Sequence, residues 1–443
     1  MIPLTILARA LSQAFVSGPL RVESMVDRGA AVLGRKWRWL RPLAMRVVAH
    51  FPEETRPLQI AITKFLMADV GLWNACSNHK ITFSGSATKP TMVPVFAARG
   101  WPIPALRSGA ELAVWLGLTY GELNWFADRR SLESKRNRGR LRHYHYRLVK
   151  KKSGGQRLVE VPKPRLKELQ RQILEDIVGH IPCHHAAHGF RRGHSIKTFA
   201  SPHVGKQTVL KMDLQDFFPS IGVAKIHALF RAVGFPDEVA DYLSGICTNT
   251  TPEDTCEGQM NSSWRTRQIR WRYSEPHLPQ GAPTSPALAN LCAYRIDCRL
   301  CGLAGSMGAT YSRYADDFAF SGGAEFSRSV SRLIQQVDLI VRQEGFRIHK
   351  DKTRTMKRGG RQKLGGMIVN QHLNVSRDDF DRLKATLTNC VRFGPSSQNR
   401  SGHHDFRSHL AGRVGFVAMV NPHRGKRLRQ LFDQISWTQS ATK

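Results

Sequence analysis

Apolar residues recur at helical spacing through the first hundred positions. Leu4, Leu7, Ala8 and Leu11 share one face of a helix, and Ile60, Ile62, Phe65, Leu66 and Val70 are expected to share another. Pro90, Pro94, Pro102 and Pro104 then punctuate a connector. Two short helices follow, one capped by Ser108 and one opened by the capping box of Thr119 and Glu122. This helix pair reads equally well as a helix-turn-helix mimic and as a packing or RNA-docking module. Beyond it the pattern shifts toward strands. Lys150 to Pro162 predicts strand, Gly154-Gly155 turn, strand. Thr208 to Asp213 reads as a buried strand ending in a carboxylate, and Thr310 to Gly322 as a hairpin with Asp316 and Asp317 at its tip. Between them, Leu278 to Asn290 begins as a Pro/Gly turn and opens a helix, while His409 to Lys426 suits a helix with a basic face. The pattern as a whole is α+β.

Charge narrows the partners. The 443 residues carry 67 Lys+Arg against 34 Asp+Glu, a formal net charge of +33. A surplus that large repels itself unless a polyanion neutralises it, which makes nucleic acid the leading partner. The excess concentrates between Asp128 and Lys167, with fifteen Lys/Arg against three Asp/Glu. There Arg142, Tyr144 and Arg147 interleave cations for phosphate with a ring for stacking, a composition suited to single-stranded nucleic acid. No apolar run approaches the roughly 20 residues of a membrane span, and the N-terminus is too broken by polar residues for a secretory signal. A cytoplasmic protein with no membrane partner is expected. The eight cysteines are scattered, and only Cys298 and Cys301 have CxxC spacing. One such pair cannot fill four tetrahedral positions, so it is read as two reduced thiols on a helix.

The acidic residues carry the chemistry. Carboxylates clustered at a hairpin tip repel one another unless divalent cations bridge them, and Mg²⁺ wants hard oxygen ligands with open positions for phosphate. Two such ions about 3.5–4 Å apart activate a 3′-hydroxyl and stabilise a leaving pyrophosphate. Adjacent residues on a strand point to opposite faces, so the turn must reorient Asp316 or Asp317.

At these residues the chain resembles the reverse transcriptase family. Tyr314-Ala-Asp-Asp matches the family's catalytic hairpin, Asp213-x-x-Asp-Phe-Phe its first carboxylate strand, and Leu278-Pro-Gln-Gly its template and nucleotide contact. His188-Gly-Phe-Arg-Arg-Gly-His-Ser matches the fingers segment, Gly345 to Thr353 a lysine-bearing palm segment, and Leu364-Gly-Gly the primer-grip turn. The resemblance implies a right-hand polymerase: fingers over 128–207, a palm with an antiparallel sheet over 208–370, and a helical thumb over 371–443, after a mainly helical extension over 1–127. It implies two Mg²⁺ held by Asp213, Asp316 and Asp317, with the Leu214 carbonyl as a further ligand. Lys352 would be a general acid for pyrophosphate, and Lys151, Lys152 and Arg157 would hold the triphosphate. Gln280 would contact the nucleotide or template. Phe218 occupies the steric-gate position, so dNTPs should be preferred over rNTPs.

Among subfamilies the chain looks most like the bacterial retron type. Ala200-Ser-Pro-His203 matches most of the retron Asn-Ala-x-x-His signature, with Phe199 at the Asn position, and Leu364-Gly365-Gly366 stands where that subfamily has Val-Thr-Gly. The resemblance implies a cognate structured noncoding RNA as template and primer, with His203 at the RNA. The product would be branched multicopy single-stranded DNA, and an effector protein would serve antiphage defence. Arg267 and Arg270 lie in a basic insertion near 253–275 that is read as a further RNA contact. The 73 residues after Asn370 are expected to be too few for an added RNase H or integrase domain. Two other readings stay open. One is a different defence-associated or group II intron-derived reverse transcriptase with another template or priming mode. The other is a non-catalytic RNA-binding protein, against which the intact Asp213, Asp316 and Asp317 argue.

Overall fold

The computed structural model describes residues 4–51, 57–82, 91–135, 142–150, 156–252, 255 and 272–437. Lys151, Lys152, Arg267, Arg270 and most of the 253–275 insertion lie outside these residues. The chain divides into two compact units, Met1–Pro182 with Phe218–Cys292, and Cys183–Phe217 with Ala293–Lys443.

The first unit opens with helices Leu4–Val16, Val22–Leu33, Leu40–His50, Gln59–Ala68 and Val70–Asn78. Leu7, Ala8 and Leu11 are fully buried, as the periodicity predicts, and share a core with Phe15, Leu40 and Leu66. The second predicted face is split. Ile62 and Leu66 are buried, but Ile60 and Val70 are exposed, because the apolar run is two helices rather than one. Asp69 makes the break: its carboxylate accepts from Leu72 N–H at 2.7 Å as an N-cap and is clamped by Arg46 at 2.7 and 2.8 Å. The helices Gly109–Trp115 and Tyr120–Ala127 carry the predicted caps, with the Thr119–Glu122 box complete. They pack on the Asp237–Cys247 helix, where the Tyr242 hydroxyl meets Tyr120 and Asn124. A hairpin is present as strands β1 (Tyr144–Lys150) and β2 (Gln156–Pro162), paired from Tyr144↔Pro162 to Lys150↔Gln156; its first strand ends at Lys150, where the expected one began, and the expected Gly154-Gly155 turn lies outside the described residues.

In the second unit, β3 (Thr208–Asp213), β4 (Ala309–Tyr314), β5 (Asp317–Gly322) and β6 (Arg354–Lys357) form an antiparallel sheet in the order β4-β5-β3-β6. Strand alternation sorts its two faces. Leu210, Met212, Phe318 and Phe320 line one face, which also carries Arg313 and Tyr311. Tyr311 and Arg313 reach the buried Asp297 on the Tyr294–Ser306 helix. Val209, Lys211, Asp213, Asp317, Ala319, Ser312 and Ser321 share the other face. Phe199 and His203 cover part of it, beside a core built with helices Arg377–Phe393, Phe406–Val420 and Pro422–Asp433. Strands β7 (Lys363–Leu364) and β8 (Met367–Ile368) close on Gly365 and Gly366, both at positive φ (52° and 87°), as a type I′ turn demands of its central pair. No described helix is long and apolar enough to cross a membrane.

Two sequence expectations are corrected by burial. Tyr144 is only 3% exposed, and its hydroxyl accepts from Gln170 at 2.9 Å, so its ring is held in the core of β1 rather than offered to a base. His203 is fully buried, with Nδ1 2.6 Å from the Ser321 hydroxyl and Nε2 2.7 Å from that of Ser312, so its imidazole ties two strands together instead of meeting RNA. Tyr144 is turned inward by the period-two packing of β1, and His203, at the end of the 3-10 turn Ser201–His203, by the sheet it packs against. Of the neighbours of Tyr144, His145 and Arg147 are exposed and Arg142 is half-buried.

Candidate active site

The second unit brings three carboxylates to one end of its sheet. Asp213 is the last residue of β3, and its register partner on β5 is Asp317. Asp316 sits in the two-residue turn before it, where Ala315 has φ 55° and Tyr314 pairs with Asp317. Positive φ at the first turn position and not the second has the sign pattern of a type II′ turn. The turn thus reorients Asp316 away from the strand alternation, as adjacent acids require. Holding an alanine there is strained, and the surroundings enforce it. Arg313 donates to the Ala315 carbonyl at 3.1 Å, and Leu214 N–H donates to the Asp316 carbonyl at 2.9 Å. Gly189 packs so closely that a Cβ there would lie 2.6 Å from Ala315 N, which explains a glycine at this point of the His188-Gly-Phe segment.

Like charges directly opposite on paired strands are destabilising. Two lysines offset this pair. Lys352, from the turn Lys350–Lys352, donates from Nζ to Asp213 Oδ1 at 2.8 Å, and Asp213 O accepts from His349 N–H at 2.7 Å. Lys211 Nζ lies 2.9 Å from Asp317 Oδ1. That contact lacks hydrogen-bond alignment, so Asp317 Oδ1 remains a buried oxygen without a hydrogen-bond donor. Burial pushes the Asp213 carboxyl up to about 6; the Lys352 hydrogen bond opposes the shift, and Asp316 and Asp317 add to it. Three carboxylates against two lysines leave an excess of hard oxygen donors, which fits a divalent cation.

Sequence reasoning missed Lys211, although its position two residues before Asp213 places it on the same face of β3. It also missed the buried ion pair beneath the turn. Arg313 reaches Asp297 at 2.6 and 2.8 Å, with both side chains inaccessible to solvent, and Tyr311 donates to the same carboxylate at 2.8 Å. Phe217 is core, its ring 5.8 Å from that of Phe346.

The remaining predicted residues belong to the first unit. Phe218 opens a short 3-10 turn and is half-buried, and Arg157 is exposed on β2. Gln280 is held through its carbonyl, which accepts from Glu160 N–H at 2.8 Å, while its side-chain Oε1 is buried without a hydrogen-bond partner. Gly281 follows at φ 137°, and a Cβ there would lie 2.5 Å from Glu160 O. Beneath this turn Glu160 is fully buried, 3.0 Å from His277 and accepting from Asn249 at 2.8 Å and Thr251 at 2.9 Å. Burial alone would raise its carboxyl, but His277 and these donors hold it below the usual carboxylate range.

A family model described as reverse transcriptase (RNA-dependent DNA polymerase) matches residues 149–375, a span that includes Asp213, Gln280, Asp316, Asp317 and Lys352. The chain belongs to the reverse transcriptase family. Its relatives place it with the retron type, as an RNA-directed DNA polymerase. It is 39% identical over 331 residues to the retron Mx65 reverse transcriptase of Myxococcus xanthus, covering 74% of this chain and 71% of that one. To the retron Mx162 reverse transcriptase of the same organism it is 34% identical, covering 78% and 70%. To the retron Ec86 reverse transcriptase of Escherichia coli it is 29% identical, covering 64% and 79%. Reverse transcriptases use divalent metal ions, in keeping with the donor set at Asp213 and Asp317.

Proposed function

We propose that this reverse transcriptase copies a cognate structured noncoding RNA into branched multicopy single-stranded DNA, in the cytoplasm, and serves antiphage defence with an effector protein. The retron relatives support the product, and the paired carboxylates of Asp213 and Asp317 support the chemistry. In this reading Asp213, Asp316 and Asp317 hold two Mg²⁺, with the Leu214 carbonyl as a further ligand. Ions held there would supply charge to lower the pKa of the primer 3′-hydroxyl and to neutralise the leaving pyrophosphate. Lys352 hands a proton to the pyrophosphate oxygen as it leaves. Arg157, with Lys151 and Lys152, holds the triphosphate, and the unpartnered amide oxygen of Gln280 meets the incoming nucleotide or the template. Phe218 leaves no room for a 2′-hydroxyl and so selects dNTPs. Arg142, Arg147, Arg267 and Arg270 contact RNA phosphates. Fingers, palm and thumb run over 128–207, 208–370 and 371–443, after a helical extension over 1–127.

The test is to express the protein with its native flanking DNA and sequence the nucleic acid that copurifies, after RNase digestion and debranching. A short discrete DNA joined through a 2′–5′ linkage to a structured RNA, and lost in Asp316→Ala, is the expected result. Unbranched or heterogeneous DNA would overturn the retron product and favour a different priming mode. The departures at Phe199 and Leu364-Gly365-Gly366 are the observations that keep that second reading in view.

A further inference from the structure

The CxxC pair of the sequence meets two histidines in the fold. Within the second unit, one ligand atom each from His184, His185 and Cys301 lie within 4.8 Å of one another. Cys301 Sγ is 3.8 Å from His185 Nε2, close to the roughly 3.6 Å that nitrogen and sulfur keep when they share a tetrahedral Zn²⁺. Cys298 stands one helical turn before Cys301 on the exposed side of the Tyr294–Ser306 helix. We propose that His184, His185 and Cys301, with Cys298 turning in as the fourth ligand, form a binding site for a thiophilic divalent cation of the Zn²⁺ class.

Both halves of this site are anchored to β4, so they are presented to each other without large rearrangement. On the helix side, Asp297 holds Arg313 and Tyr311 of that strand through buried bonds of 2.6 to 2.8 Å. On the loop side, Ala186 O accepts from Arg313 N–H at 2.8 Å, and His188 N–H donates to Arg313 O at 2.7 Å. The histidines sit in a turn closed by Ala187 N–H on the His184 carbonyl at 3.0 Å, and the Arg191 guanidinium donates to His184 O and Ala187 O at 3.0 and 2.7 Å. The mixed sulfur and imidazole donor set suits Zn²⁺ and disfavours Mg²⁺, which takes oxygen. A single CxxC falls short of a tetrahedral shell, and the two histidines supply what it lacks.

Binding has a defined proton balance. Cys301 and Cys298 release their thiol protons to solvent as the sulfur–metal bonds form. A neutral imidazole has one lone pair, so metal binding at His184 replaces the 3.2 Å hydrogen bond that its Nδ1 accepts from Ala186 N–H. The cation would tie the 183–187 loop to the helix behind the strand that carries Tyr314. It is separate in ligand chemistry from the carboxylate site and rests on none of the roles proposed there.

The experiment uses the full-length protein, stripped with a chelator and titrated with Co²⁺, then with Zn²⁺. Co²⁺ reports sulfur ligation through a thiolate-to-metal charge-transfer band that carboxylates cannot produce. The expected result is such a band saturating at one equivalent and bleached by Zn²⁺. The apparent affinity should fall at least about a hundredfold in Cys301→Ser and in His185→Gln, since even outer-shell changes cost 10–100-fold. Zn²⁺ should raise the melting temperature of the wild type and leave Cys301→Ser unmoved. No band in the wild type, or a band unchanged in Cys301→Ser, overturns the proposal. If Cys301→Ser melts below the chelated wild type, the exposed His185→Gln decides in its place.

Discussion

Asp213 on β3 and Asp317 on β5 are register partners, two carboxylates held directly opposite on the same face of one sheet. Sheets avoid such pairs, and this one is kept with a lysine on each member, Lys352 on Asp213 and Lys211 on Asp317. Opposed charges of this kind cost stability in the metal-free protein, and under the proposed function cations bound there would return it.

From this follows a trade between stability and activity. Asp213→Asn removes one of two opposed charges and should stabilise the metal-free protein by about 0.2–1 kcal/mol while abolishing polymerisation. Urea unfolding with and without Mg²⁺ checks it. The wild type should gain stability on Mg²⁺ addition and the variant much less, and equal gains would remove Asp213 from the metal set.

Lys352 offers a separable test. If its ammonium protonates the leaving pyrophosphate, Lys352→Ala should lower kcat by about 10²–10⁴-fold with a much smaller effect on the KM for dNTP. Lys352→Arg, which keeps the charge near Asp213 but holds its proton too tightly, should not restore kcat. Restoration by arginine would show that the residue acts on Asp213 as a positioning charge.

Beneath the hairpin, the Arg313–Asp297 pair is inaccessible to solvent and braces the turn through Ala315 O. Burial works against the charge of the guanidinium, but Asp297 more than compensates and holds the Arg313 pKa above its ordinary value. Arg313→Met leaves Asp297 as an uncompensated buried charge and should cost about 3–5 kcal/mol in denaturant unfolding. A loss below about 1 kcal/mol would mean that the helix and β4 are held by other contacts.

His203 makes stability depend on acid. Burial holds its imidazole neutral, with a pKa lowered from 6.5 to about 3, and nearby His188 and Lys206 act in the same direction. The unfolded chain therefore binds a proton below pH 6.5 that the folded chain refuses until about pH 3. Stability should decline as pH falls through that window, by up to about 1.4 kcal/mol per pH unit from this group. Unfolding followed from pH 7.5 downward should show a shallower decline in His203→Gln than in the wild type, and parallel curves would refute the assignment.

Local pattern revealed much of this. The capping box at Thr119 and Glu122, the β1–β2 hairpin and the two acids at the turn of a second hairpin are set by residues a few positions apart. Lys211 was legible too, being two residues before Asp213 on a strand whose side chains alternate. The ends of the Ile60 to Val70 run were less so: the Asp69 N-cap on Leu72 is local, but the Arg46 clamp on that carboxylate comes from 23 residues away.

What the sequence by itself determined is which residues share a strand face or a helix turn, since backbone geometry imposes those periods within one element. It thereby marked Asp213, Asp316 and Asp317 and the family they resemble. Tertiary structure alone decided which face is covered. It put Tyr144 and His203, which have the composition of RNA contacts, into the core, and it buried Arg313 against Asp297. It also carried His185 to Cys301 across 116 residues of chain. Burial and encounter depend on which distant segment packs against an element, and no spacing along the chain encodes that partner.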